Sequence, residues 1–165
     1  MRICHVHWHE HINFWISVDM LELFILLYNY NFQIYNNPGI TGGFIIAGGT
    51  SKHGREHSTE KLNPFSNESC PAGDIKRPRG SASFCNNLLC GGDPTFRSCE
   101  KFDGISTFEE LPVSLVERRT FHLCWGLQSG EVLLLGGEHS GSNTELVSAD
   151  GTSSLANFSL PYETM

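Results

Sequence analysis

The chain has 165 residues, enough for one modest hydrophobic core. Only 18% of its residues are charged, 17 are glycine, and 11 basic against 18 acidic side chains leave a net charge of −7. Low charge, frequent glycine and short apolar runs favour a turn-rich β protein over a helical one, and the lack of a basic stripe excludes a phosphate-backbone footprint, so no nucleic acid partner is expected.

In chain order, residues 1–39 form a non-repeat segment rich in His, Asn, Tyr, Phe and Ile and poor in Gly. His5, His7, His9 and His11 alternate, which on an extended backbone puts four imidazoles on one face. No carboxylate or cysteine set completes a known ligand spacing, so a solvated terminus is expected rather than a metal site. Ile12 to Tyr30 is apolar but interrupted by Asn13, Asp19, Glu22 and Asn29, too broken for a membrane span or a secretory signal. Phe14, Val18, Leu21, Ile25 and Tyr28 fall at helical spacing, which predicts an amphipathic helix. A short strand over Phe32 to Tyr35 then precedes a turn at Asn36-Asn37-Pro38-Gly39. The alternative is a start foreign to the domain, because this composition matches nothing downstream.

From residue 40 the chain repeats itself. Apolar runs end in glycine pairs at Gly48-Gly49, Gly91-Gly92 and Gly136-Gly137, and the first glycines lie 43 and 45 residues apart. A fixed period of this length indicates one supersecondary unit used several times. After each pair comes a polar loop and then a short strand: Thr59 to Asn63, Cys99 to Asp103 and Thr144 to Ser148. Turn residues follow (Pro64, Gly104, Gly151), then a weak strand with an aromatic in two units, Phe108 and Phe158. Arg79 and Arg119 precede further strands, Ser81 to Cys85 and Thr120 to Trp125, which lead back into the next apolar run. The units are thus about 40–76, 77–117 and 118–165, each with four short strands.

This pattern resembles the kelch motif, in which an arginine precedes the first strand, the second strand ends in Gly-Gly, the third ends near Asp-Pro and the fourth carries an aromatic. Here the matching residues are Arg79 and Arg119; Gly48, Gly49, Gly91, Gly92, Gly136 and Gly137; Asn63-Pro64 and Asp103-Gly104; and Phe108 and Phe158. The likeness covers about Gly42 to Pro161. It departs from the family in having no tryptophan on a fourth strand, no aromatic there in the first unit, and Ser148 where the third unit should carry Asp. The resemblance implies an all-β fold of about three four-stranded antiparallel blades. Residues 42 to 165 hold about 2.8 units, whereas propellers close at roughly 4 to 8 blades, so the propeller is incomplete.

The glycines also make sense physically, since crowded inner strands need a residue without a side chain that accepts positive φ. Val132 to Leu135 is a continuous apolar run, predicting a strand buried on both faces. The arginines are expected to bond neighbouring carbonyls or carboxylates and knit one unit to the next. Three open blades leave two apolar faces for self-association or for a larger parent to cover.

Little in the sequence carries chemistry. Gly43 to Thr50 is a near miss for a phosphate-binding loop, with Gly49 where the lysine belongs. There is no G-x-S-x-G elbow. Glu109-Glu110 should diverge on an extended segment, and His122, facing opposite to Phe121 and Leu123, reads as a structural histidine. Kelch-like propellers also occur in copper radical oxidases, which use tyrosine and histidine ligands; inside these repeats stands a single tyrosine, Tyr162, so that set cannot be assembled. No catalytic residue, metal or cofactor is expected, and the chain reads as a non-enzyme.

Among Cys70, Cys85, Cys90, Cys99 and Cys124, either Cys85–Cys90 or Cys90–Cys99 meets the separation a disulfide needs, and unpaired core thiols are the alternative. Sequons at Asn67 and Asn157 lean toward an extracellular protein. The expected role is protein binding through the loops Thr50 to Ser58, Asp93 to Ser98 and Glu138 to Asn143, because these vary while the strands keep their period. A fragment of a propeller enzyme acting on carbohydrates or small molecules, or a truncated product without a role of its own, are the alternatives.

Overall fold

The computed structural model describes residues 34–36, 44–63 and 68–159. The histidine stripe, the amphipathic helix, all but Asn36 of the turn at Asn36-Asn37-Pro38-Gly39, the Asn67 sequon and Tyr162 lie outside the described residues. The described residues contain no helix and form fourteen strands.

Each repeat folds as a four-stranded antiparallel meander. The first sheet contains β1 (Ile34–Asn36), β2 (Phe44–Ala47), β5 (Thr59–Asn63) and β6 (Glu68–Pro71), in that order. The second contains β7 (Ser83–Cys85), β8 (Leu88–Cys90), β9 (Ser98–Phe102) and β10 (Phe108–Ser114). The third contains β11 (Leu123–Gly126), β12 (Val132–Leu135), β13 (Asn143–Val147) and β14 (Ser153–Ser159). A small hairpin, β3 (Thr50–Ser51) with β4 (Gly54–Arg55), fills the first polar loop, where no strand is predicted. β1 lies upstream of residue 40, so the first sheet takes one strand from the segment that composition alone sets apart from the repeats.

The registers coincide from sheet to sheet. The pairing runs Ile34–Ile46–Glu60 in the first, Phe84–Leu89–Glu100 in the second and Cys124–Leu134–Glu145 in the third. Because successive strand residues point to opposite faces, this row and the neighbouring one belong to different sides of each sheet. The second sheet uses both sides. Phe84, Leu89, Phe102 and Phe108 pack with Ile45 and Ala47 of the first sheet. Leu88, Cys90 and Cys99 pack with Val132, Leu134 and Val147 of the third. The three sheets therefore stack face to face with the second in the middle.

The two interfaces differ in substance. Phe84, Phe102 and Phe108 form a ring cluster with centroids 4.8 to 6.4 Å apart, and burying each ring contributes about 1.5–3 kcal/mol. The interface with the third sheet has smaller aliphatic side chains and a covalent bond instead: Cys85 on β7 is joined to Cys124 on β11. A second disulfide links the cross-strand neighbours Cys90 and Cys99, and Cys70 is disulfide-bonded too. Of the two pairings expected from sequence, Cys90–Cys99 forms and Cys85–Cys90 does not, because Cys85 and Cys90 sit at different rungs of the β7–β8 ladder while Cys85 faces the next sheet. The reading of unpaired thiols is overturned for these cysteines.

The expectation of two buried faces holds for β8, whose Leu88, Leu89 and Cys90 are all buried, and fails for β12. There Val132 and Leu134 are buried against the second sheet, while Leu133 and Leu135 are half-buried on a side that no further sheet covers among the described residues.

Candidate interaction surface

Two of the three glycine pairs, Gly48-Gly49 and Gly91-Gly92, are joints between sheets. Gly48 and Gly91 have φ of +65° and +66°, and a Cβ on either would lie 2.5 Å from the Arg79 carbonyl or 2.7 Å from the Arg119 carbonyl. The next residue makes the link: Gly49 N–H donates to Arg79 O at 2.8 Å, and Gly92 N–H to Arg119 O at 2.9 Å. Each of these glycines therefore touches the arginine segment that opens the following sheet.

The arginine side chains turn back into their own sheet and are fully buried. Arg79 donates from Nη1 to Gly91 O (3.0 Å) and Ser98 O (2.9 Å), and from Nη2 to Glu100 Oε1 (2.5 Å). Arg119 donates to Gly136 O (2.8 Å), Asn143 O (3.0 Å) and Glu145 Oε2 (3.0 Å). The carboxylates are further satisfied by backbone N–H groups, Lys76 and Arg77 on Glu100, and Val116 and Glu117 on Glu145. Burial lowers the Arg79 pKa, and the Glu100 charge and hydrogen bond oppose that shift. Sequence reading found the arginines but missed their partners. The signal was present, since a glutamate stands second in Thr59-Glu60-Lys61, Cys99-Glu100-Lys101 and Thr144-Glu145-Leu146.

The loops after the glycine pairs emerge at one end of the stack. Thr95 Oγ1 donates to Gly91 O and Gly92 O at 3.3 Å, and Ser140 Oγ to Gly136 O at 2.6 Å and Gly137 O at 3.2 Å, so two loops are seated by one device. On the first loop Arg55 bonds Thr50 and reaches across to Asp93 at the start of the second. Between the second and third loops the exposed Arg118 guanidinium lies 4.2 Å from the Phe96 ring centroid, and His139 meets that ring edge-on at 5.5 Å. Phe96 and His139 both hold positive φ, +32° and +70°. Phe96 stands five residues after Gly91, the place that Gly141 takes after Gly136. A bulky residue in left-handed backbone where the third unit uses glycine marks a position where local strain is tolerated.

The remaining expected sites are structural in their surroundings. Asp103 Oδ1 accepts the N–H groups of Ile105, Ser106 and Thr107, which pull its carboxyl down to about 2. Ser148 takes its place in the third sheet, and the carboxylate comes two residues later, with Asp150 accepting from Thr152. Phe108 is in the ring cluster; Phe158 lies on β14. His122 is buried and faces away from the exposed Phe121 and Leu123; its Nε2 is 2.5 Å from Ser83 Oγ, and Nδ1 has no hydrogen-bond partner among the described residues. Burial, and secondarily the Arg119 charge, lowers its pKa to about 3, so it is neutral at physiological pH. Glu110 pairs with Arg77 at 2.6 Å, while Glu109 sits opposite Lys101. Asn157 is exposed on β14. Among the described residues no three His, Cys, Asp or Glu side chains are grouped to hold a metal ion, and no helix is long and apolar enough to cross a membrane.

No family model matches the chain, and no curated protein matches it. Among solved structures, a fungal alcohol oxidase of the AA5 family in complex with copper aligns with a TM-score of 0.48 and 14% identity, over 69% of this chain. The aligned part is 28% of the oxidase, so this chain spans well under a third of that neighbour's length.

Proposed function

We propose that the chain is a kelch-type segment of a β-propeller, three blades of an incomplete ring, and that it acts without catalysis as a protein-binding module. Supporting the architecture are three sheets in one register, two of the three glycine pairs closed on the next arginine carbonyl, and the buried arginine–glutamate pair repeated in two of the sheets. Two disulfides in the described core favour an oxidising, extracellular setting.

The observation that carries the binding role is the Arg118, Phe96 and His139 group on the loop end. It offers a cation, an imidazole and an aromatic surface side by side, with Phe96 and His139 on loops that Thr95 and Ser140 tie to glycine carbonyls. Such a surface suits a partner segment presenting a carboxylate next to an aromatic or aliphatic side chain. The test is selection of a displayed peptide library on the 165-residue chain, followed by affinity measurement for Phe96→Ser and Arg118→Ser variants. Acidic peptides that lose about tenfold or more in affinity to both variants, equivalent to at least ~1.4 kcal/mol, are expected. Binding indifferent to both, or turnover of sugars or alcohols by the chain, would contradict the reading.

A further inference from the structure

The outer side of the third sheet is apolar and open. Leu123 and Trp125 on β11 are 70% and 66% exposed, Phe121 just before them is 55% exposed, and Leu133 and Leu135 are half-buried beside them on β12. Trp125 pairs with Leu133 and Leu123 with Leu135, so these four side chains share one side of the sheet. Monomeric proteins rarely leave so contiguous an apolar surface without a use.

The internal packing says what fits there. Leu133 and Leu135 stand three and one residues before Gly136, as Leu88 and Cys90 stand before Gly91. Leu88 and Cys90 are the side of the second sheet that docks on the third, and Ile45 and Ala47 are the side of the first that docks on the second. The open patch is therefore the donor half of an interface that the chain already makes twice. The acceptor half in those two interfaces is the Phe84–Leu89–Glu100 row or the Cys124–Leu134–Glu145 row. The first sheet carries Ile46 and Glu60 of the corresponding row, both half-buried, on the side opposite Ile45 and Ala47. One molecule thus has the two halves of one interface at opposite ends of its stack.

We infer that two copies associate head to tail, the third sheet of each docking on the first sheet of the other, and so close a ring of six sheets. The inference rests on the propeller reading above, because closure requires each interface to turn through a constant angle; six lies within the roughly 4 to 8 sheets at which such rings close. A head-to-tail contact generates a closed ring when the rotation allows it and an open filament when it does not. The occupant is thus a second copy of this chain, and the contact continues the geometry of the two internal interfaces.

Light scattering of the oxidised 165-residue chain over about a hundredfold concentration range tests this. The expected mass is twice 18.4 kDa. Trp125→Lys on the third sheet and Ile46→Lys on the first should each weaken the pair at least about tenfold, and mixing the two variants should restore association, since one contact of the mixed pair is native. A monomer at every concentration overturns the inference, as does a polydisperse series that grows with concentration. A dimer lost with Trp125→Lys yet untouched by Ile46→Lys is a symmetric third-sheet contact and also overturns it. Far-UV circular dichroism and cooperative unfolding separate the two levels. A folded, all-β monomer sinks the pairing alone, while a wild-type chain without cooperative β structure sinks the propeller reading with it.

Discussion

Arg79 lies out of contact with water and is tolerated there because each charge-bearing edge has a partner, two carbonyls and the Glu100 carboxylate. Removing one member of a buried pair costs about 3–5 kcal/mol, much of it from the charge left behind. Arg79→Ala is therefore expected to lower the unfolding free energy from urea titration by that amount, and Arg79→Ala with Glu100→Ala to cost less than the two single changes together. Arg79→Lys keeps the charge but loses the fork that serves three acceptors at once, so it too should destabilise. His122 gives a pH signature. Its native pKa of about 3 lies below the ordinary 6.5 of the unfolded chain, so both states are neutral above pH 6.5. Below that the unfolded chain gains a proton that the native state refuses, and stability falls as pH drops from 6.5 toward 3, at a limiting slope of about 1.4 kcal/mol per pH unit. Thermal unfolding at pH 7, 6, 5 and 4 should show this decline, and His122→Gln should flatten it. Asp103 acts in a lower window. Its depressed carboxyl contributes above its ordinary 3.8, and that contribution is lost as pH falls toward 2.

For a whole strand the question is which of its two sides meets another sheet. Gly91 joins β8 to the next loop, and a Cβ there meets both Arg119 O at 2.7 Å and His122 Cε1 at 2.8 Å, on a backbone with positive φ. Gly104 and Gly130 also have positive φ, but a Cβ at either meets nothing within 4 Å. Gly91→Ala is accordingly expected to cost well over ~2 kcal/mol, and Gly104→Ala or Gly130→Ala only about 1 kcal/mol of backbone strain, by chemical denaturation. The glycine doublets, the apolar second strands and the third strands were legible in the sequence because each is a local pattern at a fixed spacing. The strand expected over Phe32 to Tyr35 overlaps β1, but its place in the first sheet was hidden because Ile34–Asn36 sits in a segment of different composition, and β3–β4 were hidden because two-residue strands leave no periodicity to read. The open side of β12 could not be read from Val132 to Leu135, since an apolar run does not state how many neighbours its sheet has. Candidate binding residues were less legible still. The loops were found by their variability, but the meeting of Phe96, Arg118 and His139 depends on three connections folding onto one another.

At the scale of the molecule, the second sheet is held on one side by three phenylalanine rings and on the other by a disulfide with smaller aliphatic contacts. Cys85 and Cys124 are 39 residues apart, and in the chain-entropy account a loop of that size adds about 4 kcal/mol by restricting the unfolded state. Cys85→Ser with Cys124→Ser should therefore remove roughly that amount and loosen the third sheet first, visible as faster amide exchange over β11 to β14 than over β1 to β6. The central claim is that the sheets stack so that β7 and β11 face one another, and the cysteine pairing reports it most directly. Tryptic mapping without reduction is expected to yield three peptides held together, 80–97 joined to both 98–101 and the peptide beginning at Thr120. Chymotryptic cleavage after Leu88 or Leu89 should then separate a Cys85–Cys124 pair from a Cys90–Cys99 pair. Release of peptide 80–97 with an internal Cys85–Cys90 bond, leaving Cys99 and Cys124 elsewhere, would contradict the stacking.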